Sequence, residues 1–228
     1  MIGMNDDEGT LFSFSNMNIT TDEEFLGYVQ SKWVFKCIIP LAAINFSKNA
    51  SYFPDASLAQ ISEITSLYPQ DPTQGSPFGT GTEYELTPEY KRMAAFQGDL
   101  MMASPRRFWL ADASSTQNVW GWLNKKGKNA NEAIGAFHGS DNPIWFTTTD
   151  GTDGMDALLN FVNTLDPNGP SNGSAGVLWP KWNTSSSGGS SSLLTFNDDG
   201  INITADTFRT EGIDFLNNLR LTEAEKSS

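Results

Sequence analysis

The chain has 228 residues, a formal net charge of −13 and 38% hydrophobic residues, including 15 Phe and 7 Trp. That is enough apolar mass for a core, which excludes wholesale disorder, and the length fits one domain or a large piece of one. The acidic balance argues against nucleic acid and anionic membrane surfaces, because phosphate contacts need Lys and Arg, and no run approaches the ~20 apolar residues of a membrane span.

Met1-Ile2-Gly3-Met4 reads as the tail of a strand that runs into an acidic turn, Asp6-Asp7-Glu8-Gly9. Residues 21–30 form a short helix capped by Thr21 or Asp22, with Phe25, Leu26 and Val29 on one face. A second helix spans 55–67, with Leu58, Ile61, Ile64 and Leu67 at helical spacing, and Pro69-Gln70-Asp71-Pro72 stops it. Residues 69–86 are a loop rich in Pro, Gly and Thr. Thr87-Pro88-Glu89 then starts a helix running to about Ser104, and Pro105-Arg106-Arg107 opens another to about residue 114.

The aromatic alternation of 118–123 predicts a strand, and 125–131 a polar turn. Residues 153–165 are helical, with Met155, Leu158, Leu159, Val162 and Leu165 expected to pack in the core. Residues 166–178 and 183–192 are loops. A hairpin over 193–204 turns at Asp198-Asp199-Gly200, and a final helix spans 206–219. Residues 222–228 are expected to fray. No internal repeat or second domain boundary is visible, so 1–228 is read as one region.

The single cysteine, Cys37, excludes an internal disulfide and a cysteine metal site, and its apolar neighbours favour an inert buried thiol. Six Asn-X-Ser/Thr sequons, at Asn18, Asn45, Asn49, Asn172, Asn183 and Asn202, suggest a secreted glycoprotein, yet no signal peptide precedes them. A further N-terminal part would reconcile the two.

The chemistry centres on His138, the only imidazole, set in Gly135-Ala136-Phe137-His138-Gly139-Ser140-Asp141. A histidine is suited to general acid–base work near neutral pH, and a carboxylate beside it would fix its tautomer and stabilise the imidazolium. By type alone, however, a lone histidine is more often structural, and an acid in Asp-Asp-Glu-Gly is more often a solvated turn charge. No nucleophile motif accompanies them. The nearest match to Gly-X-Ser-X-Gly is Asn172-Gly173-Ser174-Ala175-Gly176, which lacks the first glycine and any preceding strand. It also follows the histidine, against the Ser, acid, His order of α/β-hydrolases.

Asp6-Asp7-Glu8-Gly9-Thr10-Leu11-Phe12 resembles the acid motif of the type-B carboxylesterase/lipase family, which includes the cholinesterases and fungal lipases. The histidine loop 135–141 resembles that family's too. So do Tyr68 to Phe78, Gly98-Asp99-Leu100, Pro105-Arg106-Arg107, Trp179-Pro180-Lys181-Trp182 and Phe208-Arg209, in order along nearly the whole chain. The resemblance implies an α/β class, the C-terminal portion of an α/β-hydrolase fold with an incomplete central sheet flanked by helices. It implies Glu8 as triad acid, His138 as triad base, no cofactor or metal, and a carboxylic-ester or lipid substrate. The serine nucleophile and oxyanion hole would lie in an N-terminal half of the same enzyme, secreted as a whole. The other reading is a non-catalytic glycoprotein binding or adhesion module, with Trp120, Trp122, Trp179 and Trp182 available for sugars, or a truncated remnant.

Overall fold

The computed structural model describes residues 1–30, 53, 56–148, 152–169, 176–184 and 191–227. Cys37, Asn45, Asn49, Asn172 and Ser174 lie outside the described residues.

Ile2–Asn5 forms strand β1, ending in the acidic turn. A short helix α1 (Thr10–Ser13) follows, then α2 (Asp22–Gln30) and α3 (Leu58–Leu67). The start of α3 is set by a reciprocal cap: Ser57 Oγ accepts from Gln60 N–H while the Gln60 side chain accepts from Ser57 N–H.

The two helices expected on either side of Pro105 are one rod. Helix α4 (Tyr90–Gly98) passes through a π-helical turn (Asp99–Ala103) into α5 (Ser104–Ala113). Proline brings no N–H to the ladder, and a wider turn is one way a helix absorbs such a gap; here Ser104 N–H bonds to Asp99 O. Strand β2 (Gly121–Asn124) follows, then α6 (Asn142–Phe146), α7 (Asp153–Thr164), the hairpin β3 (Ser192–Asn197) and β4 (Gly200–Ala205), and α8 (Thr210–Ser227). Helix α8 continues through residues 222–227, where the sequence suggested fraying; Thr-Glu-Ala-Glu-Lys contains good helix formers.

The sheet order is β1-β2-β3-β4, the first three strands parallel and β4 antiparallel to β3. Successive side chains point to opposite faces. Met4, Leu123 and Leu193 pack with Leu110 and Ile213 on one face. Leu194 and Phe196 pack with Trp120, Ile144, Trp145 and Trp179 on the other. Helices therefore cover both faces, as a parallel sheet requires. A third cluster joins α2, α3, α4 and α8 around Phe25, Ile64, Phe96 and Leu216.

One expected core stripe is only partly core. On α7, Gly154 and Ala157 face inward, Met155 and Leu158 are half-buried, and Leu159 and Val162 are exposed, as is Leu165 just past the helix end. Helical spacing identifies an apolar face but says nothing of what covers it.

Candidate active site

The parallel strands bring both motifs to the same end of the sheet, the carboxyl end, where open α/β sheets bind ligands. Glu8 lies just past β1, and His138 in the loop after β2. The two loops pair directly: Asp7 N–H bonds to Ala136 O at 2.9 Å, and Asp7 and Phe137 form a parallel bridge. Although 130 residues apart in the chain, Glu8 Oε2 and His138 Nδ1 are 2.7 Å apart.

The surroundings of the pair are asymmetric. Glu8 is buried at 4% exposure, and its other oxygen, Oε1, accepts from Asn5 N–H at 2.6 Å and Asn5 Nδ2 at 3.1 Å. The His138 side chain is 46% exposed and leans on Phe12, ring centroids 5.1 Å apart. With Nδ1 engaged, Nε2 has no hydrogen-bond partner among the described residues. A carboxylate acceptor stabilises the tautomer that carries its proton on Nδ1 and leaves Nε2 as the base.

Two glycines explain how the loops fit. Gly9 lies against α4, where an added Cβ would sit 2.0 Å from Ala94 O. Gly135 has φ +59°, and its Cβ would sit 2.2 Å from Asp7 Oδ2. The chain thus approaches itself too closely at both motifs for a side chain.

Beneath the pair, Asp7 is fully buried and acts as a clasp. Its Oδ1 accepts from Ser76 Oγ (2.9 Å) and Phe78 N–H (2.8 Å), and its Oδ2 from Ala136 N–H (2.9 Å). Lys128 Nζ lies 3.2 Å from Asp7 Oδ2 and donates to Asp6 Oδ2 and Phe78 O. Burial, with Asp6 alongside, pushes the Asp7 carboxyl up against the opposing charge of Lys128. Burial pulls the Lys128 ammonium down, but Asp6 and Asp7 outweigh it and its pKa is raised.

Sequence reasoning singled out Glu8 and His138, which the structure brings together. It missed Asn5, Asp7, Asn124, Lys128 and Ser140. The available signal was the uninterrupted polar run Asn5-Asp6-Asp7-Glu8 closing an apolar strand, since buried polar groups demand partners. The tryptophans considered as a sugar platform are not one: Trp120, Trp179 and Trp182 are buried and Trp122 is half-buried against Trp145. Among the described residues no cluster of His, Cys, Asp and Glu is arranged to hold a metal ion.

No family model matches the chain. Curated proteins do. Lipase 4 of Diutina rugosa is 34% identical over 221 residues, 95% of this chain and 35% of its own length. The chain is homologous to the fungal lipases. Lipase 2 of Geotrichum candidum is 32% identical over 92% of the chain, and a secreted triacylglycerol lipase of Gibberella zeae 31% identical over 94%. The chain spans about a third of the length of these lipases. Among solved structures, Aspergillus niger EstA covers 96% of the chain with a TM-score of 0.66 at 19% identity, a likeness of fold, and the chain covers 39% of EstA. The four-stranded mixed sheet with helices on both faces is a partial α/β-hydrolase fold. The resemblance to the type-B carboxylesterase/lipase family holds along nearly the whole chain.

Proposed function

We propose that this chain carries the acid and base of a serine-type carboxylic-ester hydrolase, with Glu8 as acid and His138 as base. The observation that carries the reading is the 2.7 Å contact between Glu8 Oε2 and His138 Nδ1, with Nε2 left open. In the reaction, Nε2 takes the proton of a serine hydroxyl as the oxygen attacks the ester carbonyl. It then returns that proton to the leaving alcohol, and a water repeats the cycle on the acyl-enzyme. Glu8 holds the ring and balances the imidazolium charge.

The serine and the oxyanion donors belong to the N-terminal half of the same enzyme. The lengths of the lipase relatives support this, as does β1, which has no further strand beside it among the described residues. An open edge of this kind pairs with another strand. The substrate class is a carboxylic ester, acylglycerols included, in keeping with the triacylglycerol lipase among the relatives. That relative is secreted, and Asn18 and Asn202 present exposed sequons that suit a secreted glycoprotein. Among the described residues no helix is long and apolar enough to cross a membrane. A binding module, the other reading, has no need of the acid–base pair and has lost its aromatic platform.

The test is p-nitrophenyl butyrate hydrolysis by this chain with and without a co-expressed segment bearing a nucleophilic serine. Turnover only in the complemented sample supports the reading. Turnover by the chain alone, abolished by His138→Ala, would point to a nucleophile within it.

A further inference from the structure

The acid–base pair depends on a side chain that lies outside the Asp-Glu-Gly and histidine motifs. Asn5, the last residue of β1, is 2% exposed, and its amide is fully engaged. Oδ1 accepts from Asn124 Nδ2 at 2.7 Å and from Ser140 Oγ at 3.1 Å. Nδ2 donates to Glu8 Oε1 at 3.1 Å and to Asp141 Oδ1 at 3.0 Å. An amide offers two donors and two acceptor lone pairs, so this one is saturated.

Two consequences follow from this geometry. Glu8 Oε1 receives two hydrogens from one residue, the Asn5 amide and its own backbone N–H, which fixes the carboxylate's rotation and aims Oε2 at His138. The same side chain also grips Ser140 and Asp141, two and three residues beyond the base, and Asn124 at the end of β2. Acid loop, base loop and sheet are thus referred to a single point. A residue that only filled a polar hole would need no donors aimed at the acid.

We propose that Asn5 is a positioning residue that acts through Glu8 to hold His138 in the tautomer protonated at Nδ1. The inference rests on the reading of Glu8 and His138 as acid and base. Its donor and acceptor halves are separable. Asn5→Asp keeps oxygens for Asn124 and Ser140 but replaces the donors toward Glu8 and Asp141 with a carboxylate. Asn5→Ala removes both halves and adds no charge.

The experiment is 15N NMR of the imidazole in the reconstituted enzyme, with only this chain labelled at histidine. The chain has one histidine, so the signal is His138 alone. The wild type should show a hydrogen-bonded Nδ1–H resonance. In both variants that resonance should weaken or vanish, while circular dichroism and melting show an intact fold. kcat for p-nitrophenyl butyrate should fall about 10²-fold, the cost of a small misplacement of a catalytic group, with KM nearly unchanged. Retention of the resonance in both folded variants, or kcat within threefold of wild type, overturns the proposal. Loss of the resonance only in variants that also unfold overturns it too, because Asn5 is then merely structural. If the resonance depends on Asn5 but wild-type enzyme hydrolyses no ester, the positioning stands and the hydrolase reading fails.

Discussion

Replacing Glu8 by Gln keeps the side chain's shape and removes its charge. In the proposed mechanism the His138 ring becomes an imidazolium in the transition state, its charge centre about 4 Å from that of Glu8, given a 2.7 Å contact between the nearest atoms. At an effective dielectric of about 20, suitable for a pair near the surface, the attraction is about 4 kcal/mol. The half-exposed ring admits solvent and trims this to about 3–4 kcal/mol. At 1.36 kcal/mol per decade, the variant should lose about 10²–10³-fold in kcat. The amide nitrogen of Gln also favours a flipped ring, which deepens the loss. Hydrolysis of p-nitrophenyl butyrate by the reconstituted enzyme measures it, with KM reporting whether substrate binding survives. A Glu8→Gln enzyme within tenfold of wild type would refute the argument, because no other described carboxylate touches the ring.

Asp206→Ala removes a buried carboxylate that accepts from Arg106 at 2.7 and 2.8 Å, Arg107 at 2.9 Å and Trp182 Nε1 at 3.0 Å. Stranding two guanidinium groups should cost about 3–5 kcal/mol, read as a lowered thermal midpoint of the reconstituted enzyme; a midpoint unchanged from wild type would contradict it. Burial alone would raise the Asp206 pKa, but Arg106 and Arg107 hold it below the ordinary carboxylate value. Its contribution is therefore complete above about pH 4 and lost as pH falls through the lowered value, so urea midpoints should drop in that window and much less in Asp206→Asn. Gly135→Ala forces a Cβ into the Asp7 carboxylate at a positive φ and should destabilise by about 2–4 kcal/mol, read in the same melts. Without a strand on its open β1 edge the chain should aggregate or melt broadly by itself; a sharp two-state melt of a monomer would count against that.

What was legible in the sequence was local. The apolar spacing of the helix over 55–67, the hairpin turning at Asp198-Asp199 and the strand tail before Glu8 each declare themselves within a short stretch. Glu8 and His138 were legible through their flanking residues, which carry the family resemblance. The rest was long-range. Asn5 finds Asn124 and Ser140 more than a hundred residues away, and Lys128 finds Asp6 at a similar separation. No periodicity signals such pairs. Pro105 looked like a break because a normal helix cannot absorb it, whereas the π-helical turn before it does. The α7 stripe misled because its outer leucines and valine have no cover among the described residues.

The central claim is that Nε2 of His138 activates a serine carried by another segment. The most direct measurement is labelling of the reconstituted enzyme with a fluorophosphonate, which reports an activated serine, followed by mass mapping of the adduct. The account predicts one adduct, on a serine of the complementing segment, lost in His138→Ala and strongly slowed in Glu8→Gln. An adduct on a serine of this chain, or labelling indifferent to His138, would contradict it.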